Sequence, residues 1–287
     1  MAVLEIKNLS KKYGMKTALK GISCEFRTGI NALLGPNGAG KTTIMNCISG
    51  VLAKSGGSIT LDGQDVFRMG EAYRARLSYQ FQYQPFYPSY TAREFLCFIG
   101  LLKGMERSVI NDEIKKVLSL VNLDENIDDK IKSFSGGMKQ RLAIAQTIMN
   151  EPEILIFDEP SAGLDPFERE QFKRIMVRLK KKSIIIISTH IVSDIDTICD
   201  ELILLNKGSV VANDSPEVLC KHIKGFVWDI PKSEITDEIY QHIYFEDDKS
   251  KMLSRTQPTE NAKLSEPTVN DLYFYCQSKN AFGGESK

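Results

Sequence analysis

The stretch Gly35-Pro36-Asn37-Gly38-Ala39-Gly40-Lys41-Thr42-Thr43 constrains the chain most tightly, because it fits the pattern G-x-x-x-x-G-K-[ST]. That spacing describes a loop whose backbone N–H groups point inward at a polyphosphate. Glycines permit the φ > 0 turns and the close backbone approach that a Cβ would block. A helix that follows adds the positive end of its dipole beneath the phosphates. Lys41 can then reach the β and γ phosphates, and the Thr42 hydroxyl can ligate Mg²⁺. The flanks agree: Asn31-Ala32-Leu33-Leu34 reads as a short buried strand, and Thr43–Ile48 as the first turns of a helix.

With 287 residues the chain can bury a sizeable core, as one large domain or two small ones. Basic and acidic residues balance at 37 each, so no global charge argues for nucleic acid. Six scattered cysteines (24, 47, 97, 199, 220, 276) form no CxxC. Four lie in apolar stretches, as buried thiols of a reducing cytosol do. Met1–Lys7 alternates like a strand and lacks the basic start of a signal peptide. No apolar run approaches the roughly 18 residues of a membrane span, so work at a membrane would need another chain to cross it.

Taken in order, residues 3–13 and 17–28 read as strands around Gly14, leading to the strand at 30–34. Tyr13 is either an ordinary strand-end aromatic or a stacking platform for an adenine ring. Beyond the loop helix, Ser55–Ser58 reads as a turn, with strands expected at 59–63 and 77–82. Tyr83–Tyr90 is a loop dense in aromatic residues, suited to local packing or to a partner. Thr91 and Glu94 form a capping box for a helix Ala92–Leu102. In 106–122 Ile110, Ile114, Val117, Leu118 and Val121 share one helical face.

Ser135-Gly136-Gly137 before a helix at Leu142–Met149 offers a second N-terminal anion site. Glu153–Pro160 is an apolar parallel-sheet strand ending in two acids. Asp158 is placed to hold Mg²⁺ through water, and Glu159 to orient or deprotonate an attacking water. Pro166 opens a helix 166–182 that ends in three lysines. His190 follows the strand Ser183–Ser188, at the same sheet edge as the acids, within range of a γ-phosphate. A hairpin at 201–205 and 209–212 closes a core ending near 222. Gly225–Ile230 reads as a strand and 248–267 as an exposed linker or weakly held strands. Thr268–Gln277 reads as a short amphipathic helix, and the chain from Ser278 as a frayed end.

This ordered set resembles the ATP-binding-cassette (ABC) family over roughly residues 1–222. The resemblance implies an α/β fold: a P-loop NTPase core with a mostly parallel sheet, an N-terminal antiparallel β subdomain and an α-helical insert at about 91–150. Residues 223–287 would be a small, partly flexible extension. Gly35–Thr43 (Gly35, Pro36, Asn37, Gly38, Ala39, Gly40, Lys41, Thr42, Thr43) matches the Walker A loop and Ile154–Asp158 the Walker B strand. Glu159 falls at the catalytic glutamate, His190 at the switch histidine, Tyr13 at the adenine-stacking aromatic, and Ser161–Asp165 at the D-loop. Gln82 falls at the Q-loop glutamine, a sensor of Mg²⁺ and γ-phosphate, and Lys41 joins it, Glu159 and His190 as the catalytic set.

Phe134–Met138 matches the signature loop, whose Ser135, Gly136 and Gly137 contact ATP on the opposing subunit. Phe134 and Met138 replace the usual leucine and glutamine, and Gln80-Phe81 replaces the usual apolar-proline pair before Gln82. The implied function is an ATP-hydrolysing, Mg²⁺-dependent transporter subunit, paired with a second ABC subunit, identical or different. It would dock through residues 82–95 on a separately encoded transmembrane permease, at the cytoplasmic face of the membrane. The tail, Gly225–Ile230 and Pro267–Tyr273, is similar to tails of bacterial ABC-2-type exporters. An importer subunit is one alternative. A soluble ABC ATPase of ribosomes or nucleic acid is the other, and the single cassette and balanced charge oppose it.

Overall fold

The structure is a computed structural model describing residues 2–240, 242–246 and 249–278. β1 (Val3–Tyr13) buries Leu4, Ile6 and Leu9 and pairs antiparallel with β2 (Lys16–Arg27) across the Gly14 turn. β3 (Gly29–Leu34) is buried along its whole length and runs into the glycine loop, which feeds α1 (Lys41–Ile48). β4 (Gly56–Leu61) and β5 (Gln64–Asp65) complete an antiparallel sheet of order β2-β1-β4-β5. β4 begins at Gly56, not at Ile59, because Gly57 is not a turn residue but an in-strand glycine at φ 82°. A Cβ there would stand 2.4 Å from the Asn8 carbonyl oxygen, so only glycine lets these strands close.

Two short helices, α2 (Val66–Met69) and α3 (Glu71–Ala75), lead to β6 (Leu77–Gln80), which ends before Gln82. α4 (Ala92–Leu102) carries the expected reciprocal capping box of Thr91 and Glu94. α5 (Arg107–Leu120) buries the apolar face read from its spacing. α6 (Gly136–Ile148) starts at the glycines themselves rather than at Leu142, because the Ser135 hydroxyl accepts from Met138 N and caps it there. β7 (Ile154–Asp158) precedes α7 (Pro166–Leu179), which has Pro166 in its first turn and stops at Leu179, short of the predicted 182. β8 (Ile184–Thr189), the hairpin of β9 (Glu201–Asn206) and β10 (Ser209–Asp214), and α8 (Pro216–Lys221) follow.

The second sheet has the order β10-β9-β3-β8-β7-β6, parallel throughout except for β10. Its strands read as unbroken apolar runs because both faces are covered. Leu155, Phe157, Ile185 and Ile187 pack against the helices, and Ile154, Ile156, Ile184 and Ile186 against α1 and the antiparallel sheet. The glycine loop leaves β3, the two acids leave β7 and His190 leaves β8, so all three emerge at the carboxyl edge of adjacent strands. In open α/β sheets ligands bind at that edge.

Of the stretch 248–267, expected to be linker or weakly held strands, 249–253 and 263–264 are strands of a folded sheet and 254–262 is loop. β11 (Val227–Ile230) precedes α9 (Asp237–Tyr240), and β12 (Ile243–Glu246), β13 (Lys249–Leu253) and β14 (Lys263–Leu264) complete the antiparallel order β12-β13-β11-β14. Part of its polarity is internal. Lys251 is buried between Asp271 (3.2 Å) and Glu246, while the Tyr244 hydroxyl donates to Asp271 at 2.8 Å. Removing one partner of such a buried pair costs about 3–5 kcal/mol. α10 (Val269–Ser278) sends Val269 and Leu272 into the helix-side core, which fastens this sheet to the rest. The frayed end expected beyond Ser278 lies outside the described residues. Among the described residues no helix is long and apolar enough to cross a membrane.

Candidate functional site

Between the two sheets opens a cleft of about 650 Å³, lined by Tyr13, Lys16, Lys20, residues 36–43, Gln82, Glu159 and Lys207. Two glycines of the loop have distinct reasons. A Cβ on Gly35 would lie 2.4 Å from the Leu205 carbonyl oxygen, and Gly40 adopts φ 111°. Gly40 caps α1 without a side-chain acceptor, so the first N–H groups of α1 face the cleft unclaimed by any cap. Four lysines, at 16, 20, 41 and 207, line the cleft against one carboxylate, Glu159. Positive charge over free N–H groups suits a polyphosphate. Tyr13 is half exposed at the rim with Lys11 Nζ 5.2 Å from its ring centroid, and the rest of the ring is open to a flat ligand.

The acids sit at the inner wall. Asp158 is 3% exposed, and three hydroxyls converge on it: Ser188 Oγ donates to Oδ1 at 2.6 Å, Thr42 Oγ1 to Oδ1 at 3.4 Å and Tyr79 Oη to Oδ2 at 3.4 Å. Burial and the Asp158 carboxylate push the Tyr79 phenol well above its ordinary value, which keeps it a donor. Glu159 adopts φ 48°, a left-handed conformation that costs a non-glycine residue about 1–3 kcal/mol. Its N–H donates both to Ser188 O (3.2 Å) and to Ser188 Oγ (3.0 Å). So held, Glu159 directs Oε1 to Lys41 Nζ at 3.2 Å and Oε2 to His190 Nδ1 at 2.9 Å. Lys41 Nζ also donates to Gly35 O at 2.6 Å.

Thr42 and Asp158 thus present two hard oxygen donors to one point beside the loop. That donor set fits a Mg²⁺ completed by phosphate oxygens and water. Glu159 can accept a proton from water while His190 steadies its second oxygen.

Of the residues singled out from sequence, one contiguous site gathers Tyr13, Gly35–Thr43, Gln82, Asp158, Glu159 and His190. Gln82 lines the cleft from a loop rather than from a strand. Ser135, Gly136 and Gly137 do not line it; they form the start of α6, with Ser135 and Gly136 exposed. Ser188 and Tyr79 escaped the sequence reading. Ser188 stands beside Asp158 in the β7–β8 register, a pairing that alternation alone does not reveal. The buried Asp194 escaped it too: it accepts from Ser161 Oγ and from Arg169 Nη1 (3.2 Å), tying residues 161–165 to the turn after His190.

A model of the ABC transporter family matches residues 19–162. The linearmycin resistance ATP-binding protein LnrL of Bacillus subtilis (strain 168) is 35% identical over 225 residues, 78% of this chain and 72% of that protein. The chain belongs to the ABC transporter family. Nod factor export ATP-binding protein I of Paraburkholderia xenovorans (strain LB400) is 34% identical over 220 residues, 76% of this chain and 72% of that protein. Among solved structures, an ATP-binding subunit of an ABC transporter aligns with a TM-score of 0.69 at 29% identity, covering 77% of this chain and 92% of the other. An ATP-binding cassette in its ADP conformation aligns with a TM-score of 0.70 at 25% identity, covering 78% and 94%. The chain is therefore an ATP-binding, ATP-hydrolysing ABC subunit, built on the P-loop NTPase fold.

Proposed function

We propose that this ABC subunit powers export through a separately encoded permease, by closing with a second ABC subunit around ATP and reopening after hydrolysis. The observation that carries the reading is the chain of contacts Thr42–Asp158–Ser188–Glu159–His190, which joins the phosphate loop to an acid oriented for water activation. In this reading residues 36–43 cradle the phosphates, Lys41 neutralises the β and γ oxygens, and Tyr13 stacks on the adenine. Glu159 takes the proton of the attacking water, and His190 and Gln82 report on the γ-phosphate. Thr42 and Asp158, with Gln82 beside them, would hold Mg²⁺, which when bound neutralises charge on the phosphate oxygens. The rate comes from positioning and electrostatics rather than covalent chemistry.

Ser135, Gly136 and Gly137 serve the partner's nucleotide, in keeping with the exposure of Ser135 and Gly136 away from the chain's own cleft. The cassette occupies residues 1–222 with its helical insert at 91–150, and 223–287 is the extension. Export is supported by relatives named for Nod factor export and linearmycin resistance. The surface around Tyr83 and Tyr87, 85% and 49% exposed, is the docking face for the permease, which would hold the subunit at the cytoplasmic side of the membrane. Glu159→Gln tests the reading: it is expected to reduce ATP turnover about a hundredfold or more while an ATP-bound pair accumulates in size-exclusion with light scattering. Unchanged turnover would remove Glu159 from its role.

A further inference from the structure

Lys103 lies outside the cleft, yet its ammonium makes four hydrogen bonds at the seam between the helical insert and the parallel sheet. It is the C-cap residue of α4, and Nζ donates to Met149 O (2.8 Å), Gln146 O (2.9 Å) and Thr147 O (3.3 Å), and to Ser78 Oγ (3.2 Å). The three carbonyls belong to the last turn of α6 and its exit, groups that a helix leaves without partners of its own. A cation there also meets the negative end of the helix dipole. At its other end α6 begins with Ser135, Gly136 and Gly137. Ser78 lies on β6, next to Tyr79, which donates to Asp158, and just upstream of Gln82.

We propose that Lys103 is a positioning residue: its ammonium clasps the carbonyl end of the signature helix to strand β6, so that the loop offered to the partner's ATP stays in register with the chain's own Asp158 and Gln82. The inference rests on the catalytic reading above. It adds a residue, and a pH dependence, that the nucleotide cleft itself does not contain.

Burial lowers the Lys103 amine to about 8. The charged group facing it is Glu113, on α5, itself accepting from Asn150 N (3.0 Å) and from Lys116 (3.0 Å). Between about 8 and the ordinary lysine range the unfolded chain keeps the proton that the folded chain has released, so this group makes stability rise with pH. Over the same window the clasp loses its charge and one donor. Activity and stability are therefore expected to move in opposite directions, which a residue that merely held the fold together would not produce.

The experiment compares the full chain with Lys103→Met and Lys103→Arg in steady-state Mg·ATP hydrolysis from about pH 6.5 to about pH 9.5, with lysine 13Cε NMR alongside. The wild type is expected to lose activity on an alkaline limb centred near 8 while its melting temperature does not fall, and to show a lysine resonance titrating there. Lys103→Met should have about tenfold lower kcat, KM within about twofold, no such resonance and no such limb. Lys103→Arg should recover most of kcat and carry no limb below about pH 9.5. A limb unchanged in either variant, or wild-type kcat in Lys103→Met, overturns the proposal. Should Lys103→Met fail to fold, the Lys103→Arg profile decides alone. A wild type without turnover would count against the catalytic reading instead; the lysine resonance then decides the clasp, and its absence near 8 overturns it.

Discussion

Replacing Ser188 with alanine removes one hydroxyl from the point where both acids are held. That oxygen donates to Asp158 Oδ1 at 2.6 Å and accepts from Glu159 N at 3.0 Å. A hydrogen bond to a carboxylate is worth about 1.5–3 kcal/mol. The second bond matters less, because Glu159 N keeps Ser188 O at 3.2 Å as an acceptor. Asp158 retains Thr42 and Tyr79, each at 3.4 Å. If about 2 kcal/mol is lost from the geometry the reaction requires, kcat falls about thirtyfold. Nucleotide affinity, set by the glycine loop and Lys41, should change by about twofold or less. Mg-dependent ATPase kinetics and binding of a fluorescent ATP analogue measure the two separately. A kcat within about twofold of wild type, in a normally melting variant, would refute the idea that Ser188 aligns the acids.

Glutamate at Tyr83 should abolish co-purification with a permease yet leave nucleotide binding and melting unchanged, whereas glutamate at the partly buried Phe86, whose ring lies 5.3 Å from that of Phe95, should lower the melting temperature. Burial pushes the thiols of Cys24 and Cys199 up to about 12, so at neutral pH both should resist disulfide reagents until the chain is unfolded, as a timed thiol titration would report.

The cassette was legible in the sequence because its local rules and its global fold agree. The glycine loop sits between a strand and a helix, the capping box of Thr91 and Glu94 forms as read, and each buried strand is an apolar run. The family resemblance then supplied roles that no single motif could. What escaped depends on register and on long-range pairing. Ser188 reaches Asp158 only because β7 and β8 are adjacent and parallel, and Tyr79 reaches it from across β7. Asp194 joins Ser161 and Arg169 over a separation that no spacing rule covers. In the C-terminal sheet the strand at Gly225–Ile230 is legible, whereas 248–267 reads as linker or weakly held strands because its charges look solvated in sequence, and Lys251 with Asp271 becomes an internal pair only after the chain folds. The start of α6 was placed late because Ser-Gly-Gly reads as a loop until the Ser135 cap is seen.

In the proposed mechanism the chain's cleft is half of a site that the signature loop of a second ABC subunit, identical or different, completes; for pairs of identical chains the test is direct. Mixing two inactive full-length variants, Lys41→Ala and Ser135→Arg, tests it most directly. If the site is shared, mixed pairs contain one intact site, and ATPase activity should return to about a quarter of wild type, as random pairing requires. Activity that stays at the sum of the two variants alone, with both folded and paired, would contradict the account.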